Sequence, residues 1–251
     1  MTNGPPTIFS PTRREARAAR ARALQGRPDA ADWLAESLVE DTLERIDFMR
    51  LAPRRALAVG AGANRLAAAL EAKGARVVVT DAQALDHEKP WPVGEFDLIA
   101  SLGTLATVND LPGALIHLRG ALRAGGIAIA SMIGAGSLPR LRSALLAADA
   151  ERPAARLHPA VDAQAGAALL QRAGFSRQVS DSWTLRLRYS SLDTLVADLR
   201  AQGLTSTLAD SAPPLTKSGL ERARAAFLDG ADSAGKVVET LEVLTLTGWK
   251  N

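Results

Sequence analysis

The sequence predicts an α/β fold built on a mostly parallel sheet. Three observations predict it. Short apolar runs alternate with Ala/Leu-rich segments of helical spacing along the first half of the chain. The apolar runs Ala56-Leu57-Ala58-Val59, Val77-Val78-Val79 and Ile127 to Ile133 are nearly continuous, as strands covered on both faces must be. The first run ends in the glycine turn Val59-Gly60-Ala61-Gly62, ahead of a helical segment.

Taken in order, Ser10 caps a first helix with Pro11 at its first position, running to about Leu24 before Gly26 and Pro28. A second helix starts near Asp29, with Leu34, Leu38, Val39, Leu43 and Ile46 on its apolar side and Pro53 beyond its end. A strand at Ala56–Val59 leads into a helix from Asn64 to Lys73, stopped by Gly74. Ala75–Thr80 is a second strand, ending at Asp81, and Phe96–Ser101 is a further one. Leu111–Ala124 reads as a helix ended by Gly125-Gly126, followed by the strand Ile127–Ile133. Ser137 and Asp162 cap two more helices, to about Glu151 and Gly174. Trp183–Tyr189 alternates leucine with arginine, a strand with one wet face. Ser191 caps a helix to Gly203, Leu220–Leu228 is another, and Val238–Trp249 is the last strand. The expected organisation is one domain over 1–251: N-terminal helices in 1–52, a cofactor half in 53–135, and insert helices with the final strands in 136–251.

Composition narrows the chemistry. The 251 residues are 47% hydrophobic and 23% charged, an ordinary globular balance. Cysteine is absent, which removes disulfides, thiolate nucleophiles and cysteine-held metal and fits a reducing cytoplasm. His87, His117 and His158 are too scattered for a zinc site, so no metal is expected. No apolar run reaches the ~18 residues of a membrane span, and Met1–Ser10 lacks a secretory core. Arg13–Arg27 has the Arg/Ala composition of a mitochondrial presequence but runs directly into folded-looking sequence. The formal charge of +3 carries no interleaved aromatics on a basic face, so nucleic acid is not expected as a partner.

The glycine turn carries the candidate site. Glycine lets backbone approach a ligand, and a helix N-terminus presents free N–H groups. Asp81, about 20 residues on at the end of the second strand, has the spacing of an acid that accepts from ribose hydroxyls. The plainer reading is a tight strand-to-helix turn with no ligand. A dinucleotide site would favour a third glycine where this chain has Arg65, which leaves S-adenosylmethionine as the better cofactor expectation.

Several motifs carry a family resemblance. Ile8-Phe9 is followed by Arg13, Arg14, Arg17 and Arg20. Phe96-Asp97-Leu98-Ile99-Ala100-Ser101 and Val108-Asn109-Asp110-Leu111-Pro112-Gly113 come next. Gly136-Ser137-Leu138-Pro139, Arg152-Pro153-Ala154-Ala155-Arg156, Leu169 to Phe175 and Leu246-Thr247-Gly248-Trp249 complete the set. With these the chain resembles class I S-adenosylmethionine-dependent methyltransferases from about Ile8 to Trp249. Within them it is similar to the branch of the malonyl-acyl-carrier-protein O-methyltransferases and the mitochondrial complex I assembly factor described as an arginine hydroxylase. The resemblance implies a Rossmann-like methyltransferase fold with an antiparallel last strand. It implies cofactor contacts at Gly60, Ala61, Gly62 and Asp81, with Ser101 and Leu102 on the floor. It also places the N-terminal helix near the site mouth, where Arg13, Arg14 or Arg17 would meet an acidic partner.

The departures are as informative. The branch's acid two positions before the first glycine is Ala58 here, and its His-Trp or Gln-Trp pair after the fourth strand is Ala106-Thr107. Only Ala82–Glu95 separates Asp81 from Phe96, too little for a helix and a strand, so the third strand is expected to be reduced or missing. Asp86 or Trp91 substitutes in the adenine pocket, or the segment is a plain connection. Three functions follow: a methyltransferase on a protein or carrier-bound acid, a non-catalytic assembly or scaffold protein, and a hydroxylase like the assembly-factor relatives. No catalytic residue is singled out.

Overall fold

The computed structural model describes residues 6–28, 30–80, 85–149 and 152–251. Six strands share one sheet: β1 (Arg55–Gly60), β2 (Arg76–Thr80), β3 (Phe96–Leu102), β4 (Leu122–Ile133), β5 (Gln178–Tyr189) and β6 (Val237–Trp249). Their order is β2-β1-β3-β4-β6-β5. The pairs β1–β2, β1–β3 and β3–β4 are parallel, while β6 is antiparallel to both β4 and β5. So β6 alone runs against the other five.

Side chains alternate across the sheet, and each face has its own helices. Leu57, Ile99 and Ala128 pack with Leu115 and Leu118 of α4 (Leu111–Ala121) and Leu170 of α6 (Ala163–Arg172). On the other face Ala58, Leu98, Ala100 and Ile129 meet Leu34, Leu38 and Ile46 of α2 (Trp33–Phe48) and Leu66 and Leu70 of α3 (Ala63–Ala72). A third cluster joins α5 (Pro139–Asp149), α7 (Leu192–Ala201) and α8 (Lys217–Leu228) beside Val237 and Leu241 of β6. The remaining helix, α1 (Pro11–Gln25), has Ser10 as N-cap and buries none of its residues.

The expected loss of the third strand is observed among the described residues. The sheet ends at β2, where Val78 and Val79 stay 39% and 40% exposed. The connection to β3 is pinned by Leu85 and Trp91, both buried against the core of the β3–β4 face. Trp91 is therefore a packing residue and not an adenine wall.

Some boundaries differ from the sequence expectation for local reasons. Helix α4 stops at Ala121 because Leu122 already pairs with Phe96, across a register shift in the β3–β4 ladder. Gly125 (φ +75°) and Gly126 serve that irregular strand start, and a Cβ on Gly126 would lie 2.7 Å from the Phe96 carbonyl oxygen. Ser137 does not cap α5. It exchanges hydrogen bonds with the backbone of Glu242, at 2.9 and 3.1 Å, while the buried Glu239 carboxylate accepts from the Leu141 and Arg140 N–H groups. Helix α2 begins at Trp33; Asp29, expected near its start, lies outside the described residues.

Candidate functional site

The carboxyl ends of β1, β3 and β4 open into one cleft of about 1240 Å³, where parallel α/β sheets place their ligands. Gly60, Ala61 and Gly62 form one wall, with Asn64 in the first turn of α3. Leu102, Gly103, Thr104 and Thr107 follow from the end of β3, and Ile133 to Ala135 from the end of β4. Helix α1 lies across the mouth and contributes Arg14, Arg17 and Ala21. The volume exceeds the ~300–1000 Å³ of common small-molecule pockets, leaving room for a cofactor and an acceptor group together.

The two turn glycines are explained by the protein's own packing. Gly60 has φ +104°, and a Cβ there would lie 2.6 Å from Thr104 Cγ2 and closer still to the Leu102 carbonyl oxygen. That oxygen already accepts the Ala61 N–H at 3.0 Å, so the turn is clamped to β3. At Gly62, φ +78°, a Cβ would meet Val39 Cγ2 at 2.7 Å and the Ala35 carbonyl oxygen at 3.0 Å. Both glycines thus let β3 and α2 approach the turn. Gly62 as N-cap offers no side chain to the first-turn N–H groups of α3, which leaves them for a polar ligand.

The other sequence-predicted positions divide. Leu102 lines the cleft. Ser101 is buried behind it, its hydroxyl 2.6 Å from Thr104 Oγ1, and so positions a cleft residue without lining the cleft itself. Asp81 lies outside the described residues; Thr80, just before it, reaches the cleft. Ala58 is fully buried in the layer between sheet and helices α2 and α3, with no acid in its place. Asp86 lines the cleft and pairs with Lys89 at 3.0 Å, which holds its carboxyl below the usual range.

Sequence reasoning missed two groups in this cleft. His87 is 6% exposed, sits edge-on to Trp91 at 5.6 Å, and finds no partner for either ring nitrogen. Burial and the Arg14 charge push it down to about 4, so it is neutral at pH 7. His158 Nε2 accepts the Thr207 N–H at 2.7 Å and is likewise held down to about 4, by burial and by Arg17. Both histidines look like ordinary loop residues in the sequence. The return of residues 205–208 beside α1 fixes His158, while the packing of Trp91 holds His87.

The roof is tied down by polar contacts. Arg14 Nη1 donates to the Thr107 carbonyl at 3.0 Å and reaches Glu88 Oε1 at 3.5 Å. Asn109 Oδ1 accepts from the Ile8 and Phe9 N–H groups, each at 2.8 Å. Glu88 Oε1 in turn accepts the Asn109 N–H at 2.7 Å. The motif Val108-Asn109-Asp110 thus fastens the segment before α1 and also starts α4, where Asp110 accepts from Gly113 at 2.9 Å.

This sheet order and site define a Rossmann-like methyltransferase fold, and the chain belongs to the methyltransferase-domain family, whose pattern matches residues 20–178. S-adenosylmethionine is the cofactor of this family. A malonyl-[acyl-carrier protein] O-methyltransferase of Xylella fastidiosa is 31% identical over 245 residues, covering 86% of this chain and 81% of the relative. The mitochondrial arginine-hydroxylase NDUFAF5 of Rattus norvegicus is 28% identical over 165 residues, covering 64% of this chain and 48% of that protein. The chain therefore spans about half the length of that relative. The crystal structure of YcgJ from Bacillus subtilis shares the fold, with a TM-score of 0.52 at 12% identity, covering 86% of this chain and 99% of that one.

Proposed function

We propose that this protein transfers a methyl group from S-adenosylmethionine to a protein or carrier-bound acid, within one domain and in the cytoplasm. The observation that carries the reading is the cleft. Its Gly60–Gly62 wall presents the uncapped N-terminus of α3, and it has space for an acceptor beside the cofactor. Gly60, Ala61, Gly62 and Leu102 form the cofactor floor, Ser101 fixes Thr104, and Asp81 accepts from the ribose. The cofactor supplies an electrophilic methyl on a positively charged sulfur. A carboxylate acceptor is already ionised at pH 7, so the chain needs no general base. Its task is alignment and exclusion of water, which Leu102, Leu38 and the α1 roof supply. The malonyl-carrier relatives support an acid as acceptor.

A non-catalytic scaffold is favoured by two observations: Ala58 in place of an acid, and a sheet that ends at β2. Among the described residues no three His, Asp or Glu side chains cluster to hold a metal. Calorimetry with S-adenosylmethionine decides between transferase and scaffold. Binding in the micromolar range is expected, weakened in Asp81→Ala by about 1.5–3 kcal/mol for each charged hydrogen bond lost. No heat at millimolar cofactor would sink the transferase reading.

A further inference from the structure

We infer that Arg17 is a carboxylate receptor built into the roof of the cleft. The inference deepens the transferase reading by assigning its anion-binding residue. Arg17 projects from α1 into the cleft, where its guanidinium has five N–H donors and few acceptors. Nη1 donates to the Thr205 carbonyl at 3.3 Å and Nη2 to Thr107 Oγ1 at 3.2 Å. Both acceptors are neutral and both bonds are long for a charged donor. No carboxylate among the described residues pairs with Arg17.

The surroundings differ sharply from those of its neighbours. Arg14 shares Glu88, and Arg156 is paired with Asp149 at 2.6 Å. Arg17 instead has Arg14 and His158 beside it, and burial lowers its proton affinity to about 10. A cation taken from water without a counter-ion is costly unless an anion arrives. Of the lining cations, Arg14, Lys89 and Arg156 are paired with Glu88, Asp86 and Asp149, while Arg17 and Arg142 have no carboxylate partner among the described residues, so the field there favours an anion. Arg142, exposed on the far wall, adds to that field. A guanidinium anchored by two neutral bonds among the described residues has further N–H donors with which to hold one oxygen of a carboxylate and leave the other free.

Two carboxylates could use this receptor: the amino-acid end of the cofactor, or the acid of the acceptor. Three probes separate them. S-adenosylhomocysteine carries the first carboxylate, methylthioadenosine lacks it, and malonate added to cofactor-saturated protein stands for the second. Calorimetry on the full chain is run with wild type, Arg17→Gln, Arg17→Lys, and Arg20→Gln as an exposed control on the same helix. If the cofactor carboxylate is the ligand, Arg17→Gln weakens S-adenosylhomocysteine about tenfold or more and leaves methylthioadenosine unchanged. If the acceptor acid is the ligand, malonate binding falls by a similar factor while both nucleosides are unaffected.

A second measurement does not depend on any variant folding. His158 titration is followed by NMR in the wild type, because burial and, after it, the Arg17 charge hold that imidazole down, and a carboxylate bound to Arg17 would relieve the second. An upward shift of the His158 titration on adding malonate or S-adenosylhomocysteine supports the receptor. No shift with either, or a larger response to inorganic phosphate than to any carboxylate, overturns it. Cofactor binding that survives Arg17→Gln without loss for any carboxylate would end this inference and leave the transferase reading standing. Malonate binding with no cofactor binding would do the reverse.

Discussion

Gly60→Ala separates a glycine needed by the ligand from a glycine needed by the fold. A Cβ at this position would stand 2.6 Å from Thr104 Cγ2, against the ~3.5–4 Å of an ordinary carbon contact. The Leu102 carbonyl, closer still, cannot retreat. It holds the Ala61 N–H at 3.0 Å, and Leu102 is paired in register with Gly60 on one side and Ser131 on the other. The φ of +104° adds backbone strain of about 1–3 kcal/mol, and overpacking a closed site adds about 1–3 kcal/mol more. A loss near 4 kcal/mol is expected in ligand-free protein, or a Tm lower by roughly 8–16 °C for a chain of this length. Urea titration without cofactor measures it, with an unchanged m-value as the check that one native state unfolds. A loss under about 1 kcal/mol, with cofactor affinity reduced instead, would refute the clamp and return Gly60 to the ligand.

Two further outcomes follow from buried ionisable groups. His87 titrates near 4 in the folded protein against 6.5 when free, so the unfolded chain takes up the proton first as pH falls. Its contribution is complete above about pH 6.5, is lost as pH drops to about 4, and amounts to roughly 3 kcal/mol. His158 titrates in the same window. His87→Phe should therefore flatten only part of the decline in urea midpoint between pH 7 and pH 4.5, and equal slopes in the two proteins would show His87 has no role. Glu239, wholly buried, accepts from the Leu141 N–H at 2.7 Å at the start of α5 and from the Thr240 N–H of its own strand at 2.9 Å. Glu239→Gln removes the negative charge at that helix end and should cost about 1–3 kcal/mol by thermal melting; a neutral result would mean α5 does not need this cap.

The fold was legible because its signals are local. The run Ala56–Val59, the turn at Gly60 and the Ala/Leu helix after it depend on neighbours along the chain, and so does the Ser10-Pro11 helix start. The shortness of Ala82–Glu95 alone announced a sheet without its third strand. What stayed hidden depends on distant chain. Nothing near Leu122 reveals that Phe96 will pair with it, so the end of α4 was placed too late. Ser137 has the pattern of a cap, but Glu242 of β6 claims its hydroxyl and Glu239 takes over the helix. Gly60, Ala61, Gly62 and Leu102, expected from the glycine motif and the family resemblance, line the cleft. The physical reason for the two glycines stayed hidden, because Val39 and Thr104 are the atoms that demand glycine. His87 and His158 carry no pattern at all; burial makes them distinctive, and burial there is a property of three separate segments meeting.

The roof helix has a kinetic consequence. Helix α1 buries no residue of its own; it is held by hydrogen bonds from Arg13, Arg14, Arg17 and Gln25, by its packing on α7, and by the buried Phe9 just before it. The sheet beneath is fastened by continuous ladders and three apolar clusters. Opening the roof therefore breaks solvent-competing hydrogen bonds and one small apolar contact, whereas opening the sheet unfolds the protein. For a ligand held as proposed, release from the cleft should then follow the opening of one helix and not that of the sheet. Mild denaturant or raised ionic strength should hasten that release well before either disturbs the fold.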